Sequence, residues 1–500
     1  MISKEALLLC AIFAPTLGAC LLPLLGQASA RARNALAFLL VAASLACSLA
    51  LVPQVLGGAT VTAAVDFGAS FSFKFQADGL AVFMAIVSSL ISAIIVLYST
   101  GYISHYRYQN EYYFMVVLFL GAMMGLVFSA HLIVLYVFWE ITAIASWRLI
   151  GFFREKDYVL RADKAFLVTA FGALAMLFGF VMIANQAGSF DLTAIAAAAR
   201  HSHFSDLGVA LILLGILSKS ATLPLHTWLP DAGVAPSPVT ALLHAAVLVK
   251  IGVYVYARLF IVAMPLSETW QTIVLVIAAA SALVSAGAAL LETDLKRIIA
   301  FSTVSQIAFI FLGFASGTTV GIAGALLYIL MHGLAKGGLF LCAGIVEHGT
   351  HTKDVRQMGG LARTMPITAV AFFACALSVM GVPPFGGFFS KFMVILGAVG
   401  YAGLPAEALA KAGAGAAFEP AKLWVPVVFA VGAFMTILYL LRVFNLVFLG
   451  EAKAPAPEGS RIMIFSVALL AALSLAGGIL INIPSDFAQT VVRQMTGGTP

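Results

Sequence analysis

The chain has 500 residues, of which 62% are hydrophobic and only 10% charged, with a net charge of +6. Ordinary soluble chains are about 45–50% apolar and about 25% charged, so a mean hydropathy of +1.06 leaves too little polar surface to cover soluble domains. This composition excludes a disordered chain, a secreted disulfide scaffold and a nucleic-acid binder, and it reads as an all-α polytopic membrane protein.

A bilayer core needs about 20 apolar residues per helix. Runs of that size fall at 5–26, 34–56, 78–100, 112–129, 131–153, 163–186, 206–228, 236–262, 269–291, 294–315, 318–346, 364–401, 423–449 and 461–483. The expectation is fourteen spans, with 364–401 one interrupted helix. Leu17-Gly18-Ala19-Cys20 has the form of a lipoprotein cleavage box. Its only preceding positive side chain, Lys4, sits beside Glu5, so residues 5–26 read as a retained first span. The alternating segment 59–76 reads as a surface hairpin, and 402–422 as a long Gly/Ala-rich loop. All five cysteines (Cys10, Cys20, Cys47, Cys342, Cys375) lie in apolar runs without metal-ligand spacing and read as small packing residues.

Orientation follows from Lys and Arg. Fourteen basic residues, Arg31, Arg33, Arg107, Lys296 and the block 154–164 among them, fall in odd-numbered connections. Seven, including Lys4, Lys74 and Arg258, fall on the opposite side. That places 154–164 in the cytoplasm and both termini outside, in a cell (inner) membrane.

Six basic residues remain inside spans: Arg148, Lys219, Lys250, Lys336, Lys391 and Arg442, with Glu140 the one acid well inside. A charge at the bilayer centre costs about 2.5–3.5 kcal/mol on insertion scales, so these residues need a common reason. A desolvated ammonium can release its proton, whereas a guanidinium cannot. Lysines in excess of carboxylates therefore suit a proton relay better than static pairing. Helix breakers sit beside two of them: Pro224 follows Lys219 by five residues, and Pro383-Pro384 and Gly386-Gly387 precede Lys391. Broken spans are tolerated where protein or water satisfies the freed backbone, as at transporter midplane sites. His244 lies six residues before Lys250, His332 four before Lys336 on one helical face, and His226 two after Pro224. Each histidine is either a hydrogen-bonded core residue or a point of proton exchange near neutrality. Ser218, Ser220, Thr222, Thr303, Ser305 and Gln306 either hold water between these sites or pack helices.

The stretches FWEITAIASW, SKSATLPLHTWLPDAGVAPSPVTALLHAAVLVKIGVY, TDLKRIIAFSTVSQI, LYILMHGLAKGGLFLCAG and VRQMGGLARTMP…GVPPFGGFFSKF carry a resemblance that runs from about 110 to 395. They resemble the antiporter-like subunits of respiratory complex I, membrane-bound hydrogenases and Mrp-type sodium/proton antiporters. The resemblance implies a fourteen-helix core with two inverted five-helix repeats and two broken helices. The divisions would be 1–110 (three helices and the hairpin), 111–262, 263–450 and 451–500. It further implies Glu140 and Lys219 as the input-side pair, Lys250 with His244 as the central carrier, His332 and Lys336 on the eleventh helix, and Lys391 as the exit. His226 is a further relay candidate.

His244 and Lys391 resemble the L-type subunit and the N-terminal part of the Mrp A subunit, with neither the long lateral helix of the one nor the extra helices of the other expected within these 500 residues. Arg148 departs from the family pattern. Expected roles for it are a second partner for Glu140, or a contact with headgroups or a partner subunit at the cytoplasmic face. No metal, flavin or nicotinamide motif is present, so no cofactor is expected and any redox chemistry would come from other subunits. The resulting expectation is a proton-translocating subunit among other membrane subunits, with a hydrogenase or quinone module as a candidate partner. A sodium/proton exchanger module is the alternative, and a membrane anchor with vestigial lysines is disfavoured by retention of every charged position.

Overall fold

The structure, a computed structural model, describes residues 3–66, 72–401, 422–451, 453 and 456–497. The expected loop 402–422 lies almost wholly outside the described residues. Two compact units divide the chain. The first comprises 1–221, 234–265 and 493–500, and the second 222–233 and 266–492.

In the first unit, α1 (Lys4–Ala28) and α2 (Ala30–Leu56) lead into a two-stranded antiparallel hairpin. Its strands are β1 (Val61–Asp66) and β2 (Ser72–Ala77), with Val61 opposite Ala77. The alternation of 59–76 therefore forms the strands it predicts. Then follow α3 (Gly79–His105), α4 (Gln109–Phe128), α5 (Leu132–Ile150), α6 (Lys156–Ala187), α7 (Asp206–Lys219) and α8 (Ser237–Ala263). Helices α3 and α4 are apolar all round and buried, as expected of spans enclosed by other helices.

The second unit contains α9 (Glu268–Leu291), α10 (Leu295–Ala315), α11 (Thr319–Thr350), α12 (Pro366–Met380), α13 (Gly386–Tyr401), α14 (Trp424–Phe448) and α15 (Arg461–Ile479). A last amphipathic helix, α16 (Asn482–Met495), begins in this unit. Helices α10 and α11 are almost wholly buried and form its core. Twelve helices among the described residues are long and apolar enough to cross a membrane, and α12 and α13 are shorter apolar ones. The protein is an all-α, multi-pass membrane protein.

Two interruptions sit where proline and glycine predict them. Helix α7 ends at Lys219, and residues 220–227 run as turns before a short helix at Trp228–Asp231. Between α12 and α13, Gly381 caps α12 in the left-handed region at φ 85°, a conformation that glycine adopts without strain. The expected interrupted helix 364–401 is thus two separate helices. A third interruption lies inside α8. Residues Leu242–Ala246 form a π-helical turn, closed by the Val247 amide donating to the Leu242 carbonyl at 3.0 Å.

Several basic residues assigned to loops are instead buried at helix ends. Arg258 is in α8 and pairs with Asp78, its Nη2 donating to Oδ1 at 2.8 Å. Lys296 is in α10 and pairs with Glu347 of α11 at 2.7 Å. Arg33 is buried in α2 among Asn34, Gln109 and Asn110. A hydropathy reading places such residues at the water surface because it cannot see the neighbouring helix that covers them.

Candidate functional site

The eight expected residues fall four and four into the two units. The first holds Glu140, Lys219, His244 and Lys250, and the second holds His226, His332, Lys336 and Lys391.

In the first unit, Glu140 projects from mid-α5 and is half-buried. Its Oε1 is fully buried without a hydrogen bond, and the hydroxyl of Tyr136, one turn earlier, bonds to the carboxylate. Lys219, the last residue of α7, is wholly buried. Its Nζ donates to the Trp139 carbonyl at 3.3 Å and lies 5.2 Å from the centre of the Trp139 ring. Glu140 is the neighbouring charge that acts on it. The lysine thus stands at the opened end of a helix, where the carbonyls of the last turn have no partner on the next turn and carry partial negative charge.

Lys250 and His244 lie wholly buried in α8, His244 within the π turn and Lys250 four residues past its end. The turn alters the spacing along the helix, and Ser88 of α3 donates to the Ala246 carbonyl at 3.0 Å, taking up an acceptor beside the break. Gly252, two residues after Lys250, fixes the distance between helices. A Cβ there would meet the Ile216 carbonyl and Ser220 Oγ of the α7 end. Helix α8 therefore carries Lys250 in direct backbone packing with the helix that carries Lys219.

The second unit contains a polar chain that runs from Lys336 to the Tyr328 hydroxyl, with Lys391 beside the Tyr328 ring. Lys336 of α11 donates to the Ile299 carbonyl at 3.1 Å and to Ser302 Oγ. Ser302 accepts from the Tyr439 hydroxyl at 3.0 Å, and Gln306 Nε2 reaches the same hydroxyl at 3.5 Å and Thr436 at 3.2 Å. The Tyr328 hydroxyl donates to Gln306 Oε1 at 2.6 Å, and its ring centre is 5.8 Å from that of His332. Lys391 Nζ lies 5.7 Å from the centre of the Tyr328 ring and 4.7 Å from that of Phe309, and donates to the Val379 carbonyl at 2.7 Å. Lys336 thus stands at one end of a chain of hydroxyls and one amide, and Lys391 stands beside the ring of Tyr328, the residue at the other end. Val379 is in the last turn of α12, so the Lys391 ammonium rests on an opened helix end, whereas that of Lys219 rests on a carbonyl of mid-α5. His226 is half-buried in the turns after α7, with its carbonyl accepting from Leu229. It lies in the second unit, not in the unit of Lys219.

Tyr328, Tyr439, Ser302 and Thr436 were not among the expected site residues. Tyr328 had a signal, since Tyr328, His332 and Lys336 recur every four residues on one face of α11. Tyr439, three residues after Thr436 in α14, had no partner at helical spacing that pointed to Ser302 or Gln306.

Arg148 does not partner Glu140. It pairs with Glu111 of α4, whose other oxygen accepts from Arg154 at 2.6 Å. Eight residues separate Arg148 from Glu140, about 12 Å along the axis, whereas the first turn of α4 lies beside the end of α5.

Charged pairs also stand at the span ends. Burial alone would raise the Asp78 carboxyl. The Arg258 charge and hydrogen bonds, with the Ala81 amide, outweigh it and hold the group below the usual carboxylate range. Asp294, before α10, is raised by burial, which its amide contact and nearby lysines only partly offset.

Comparison with known proteins agrees with this architecture. Residues 129–410, more than half of the chain, match the family described as NADH:quinone oxidoreductase/Mrp antiporter, TM. Residues 65–113 match the family of the N-terminus of chain 5 of NADH-ubiquinone oxidoreductase (complex I). The Na(+)/H(+) antiporter subunit A1 of Staphylococcus haemolyticus (strain JCSC1435) is 33% identical over 474 residues, covering 90% of this chain and 57% of that protein. The subunit A1 of Staphylococcus aureus (strain Newman) is 32% identical with the same coverage. The chain therefore spans a little over half the length of these curated relatives. Among solved structures, the Mrp complex from Dietzia sp. DQ12-45-1b contains a chain matching with a TM-score of 0.88 at 23% identity, over 99% of this chain and 98% of that one. The membrane-bound sulfane sulfur reductase, an archaeal respiratory membrane complex, gives a TM-score of 0.86 at 20% identity over the same shares. The fold is shared with both, and the chain belongs to the NADH:quinone oxidoreductase/Mrp antiporter family of membrane subunits.

Proposed function

We propose that this chain is the proton-translocating subunit of a multisubunit membrane assembly of the Mrp, complex I or hydrogenase-linked kind, working with other membrane subunits. The carrying observation is the polar chain from Lys336 through Ser302, Tyr439 and Gln306 to Tyr328, whose ring lies 5.7 Å from the Lys391 ammonium. Hydroxyls and amides can accept and donate in turn, and lysines that can load and unload protons stand at one end of the chain and beside the other. Glu140 and Lys219 form the input pair, Lys250 with His244 the carrier of the first unit, and His332 and Lys336 with Lys391 the relay of the second, with His226 a supporting group. The proposed repeats are 111–262 and 263–450, flanked by 1–110 and 451–500. The proposed setting is a bacterial inner membrane with both termini outside. As part of a redox assembly the subunit would act as a translocase without a redox centre of its own.

A sodium/proton exchange module is the second reading, favoured by the description of the relatives as Na(+)/H(+) antiporter subunits. The test of the main reading is proton flux in vesicles carrying the assembled complex. Lys250→Ala and Lys391→Ala should each abolish flux while the subunit remains assembled. Wild-type flux in either variant refutes the relay.

A further inference from the structure

In the second unit, α11 and α15 meet the turn between α12 and α13, and glycines make the approach possible. A Cβ on Gly478 of α15 would stand 1.8 Å from the Pro384 carbonyl oxygen and 2.6 Å from the Gly386 amide nitrogen. The α15 backbone therefore rests directly on the helix break. Gly386 and Gly477 are neighbours there, since a Cβ on Gly386 would lie 3.1 Å from the Gly477 carbonyl carbon. The notch left by these two glycines is filled by Met331 of α11. Added Cβ atoms on Gly386 and Gly477 would lie 2.3 Å and 2.8 Å from its Sδ, and the side chain is wholly buried. Small residues let membrane helices approach closely, and an unbranched thioether fills the irregular gap that remains.

The place of this contact bears on the relay. On α11, Met331 follows Tyr328 by three residues and directly precedes His332. Gly386 opens α13, five residues before Lys391. Between Tyr328 and Lys391 the separation is 5.7 Å from ring centre to ammonium, and the ammonium donates to the Val379 carbonyl of α12. Transfer across such a separation is sensitive to position, because a misplacement of about 1 Å can cost about a hundredfold in rate. We propose that Met331 is a positioning residue of the relay. Its thioether, which has no proton to pass, spaces α11 from the helix break and so sets the distance between Tyr328 and Lys391. This inference rests on the relay reading above and adds the part that holds its two sides in register.

The test uses the assembled complex in vesicles, with proton flux measured per assembled subunit in light and in heavy water. Met331→Val shortens the spacer and leaves the notch partly empty. Flux should fall about tenfold, and the ratio of flux in light water to flux in heavy water should rise as the displaced proton step becomes limiting. A residue with a merely structural role would change the amount of assembled complex and leave that ratio alone. Gly477→Ala adds a methyl that meets only Met331 atoms within 4 Å, at 2.8 Å and 2.9 Å. It should act in the same direction by forcing the thioether from the notch. The double variant puts the methyl close to where the sulphur stood, so it should recover flux and the wild-type ratio, with a loss smaller than the sum of the single ones. Lys391→Ala is measured alongside. Flux retained there removes the relay, and the role of Met331 with it. Flux lost there, while Met331→Val keeps the wild-type ratio or the two single losses simply add, overturns the positioning role alone.

Discussion

Tyr439 is the residue whose role rests most on its contacts. It joins Ser302 to Gln306 through one hydroxyl, from a largely apolar helix that also carries Thr436. Tyr439→Phe removes that hydroxyl and nothing else, so the helix should pack as before. Proton flux should fall about tenfold, equivalent to about 1.4 kcal/mol on the barrier, with assembly unchanged on a native gel; full flux would remove Tyr439 from the relay. Asp78 tests a different physics. It faces Arg258 with both side chains largely buried, and leaving one partner unpaired costs about 3–5 kcal/mol. Asp78→Asn should lower the unfolding temperature sharply, whereas transport measured below that temperature should survive. The carboxyl is held below its ordinary range, so its stabilisation is present above the unfolded value of about 3.9. It is lost only as pH falls through the lower folded value. Wild-type stability should therefore be insensitive to Asp78 titration at neutral pH, and acid unfolding profiles of wild type and Asp78→Asn should converge only below about pH 4.

At the scale of the element, the sequence announces the breaks beside Lys219 and Lys391. Proline lacks an amide donor and glycine relaxes the backbone, so LSKSATLPLHTWLPDA and GVPPFGGFFSKF reveal their breaks directly. The π turn at Leu242–Ala246 carries neither residue, because it arises from how α8 packs on α3 and α7, a tertiary cause invisible in local composition. The ion pairs of Arg258 and Lys296 and the amide contacts of Arg33 are hidden for a similar reason. Arg258, Lys296 and Arg33 flank apolar runs exactly as loop residues do, and their partners are 180, 51 and about 77 positions away. The spans and the hairpin were legible because their periodicity is local. Close approach of helices gives the element-level prediction. Gly252→Ala places a methyl against the Ile216 carbonyl, a backbone atom that cannot rotate away. Overpacking of this kind costs about 1–3 kcal/mol and should displace Lys250 from the end of α7. Flux should fall while expression and assembly persist, and a Gly252→Ala complex with normal flux would show that this spacing is not needed.

For the whole molecule, each unit has a buried lysine beside a helix break, Lys219 at the end of α7 and Lys391 on the last turn of α12, and the buried groups they touch are backbone carbonyls and aromatic rings. A desolvated ammonium in such surroundings can release its proton. A sodium ion, like other hard cations, instead needs several oxygen ligands gathered around one point. Among the candidate relay residues Glu140 is the sole carboxylate, with one oxygen buried and unbonded, so it is the position at which the two readings part. If this chain carries protons while sodium is handled elsewhere in the assembly, Glu140→Gln should lower the maximal rate of sodium-dependent exchange. The apparent sodium affinity should stay within about twofold, the pattern of a lost step rather than a lost binding contact. Proton flux in sodium-free vesicles should fall in parallel, because the same carboxylate feeds Lys219 in both conditions. A large drop in sodium affinity with the maximal rate preserved would instead make Glu140 a sodium ligand and favour the exchanger reading for this subunit.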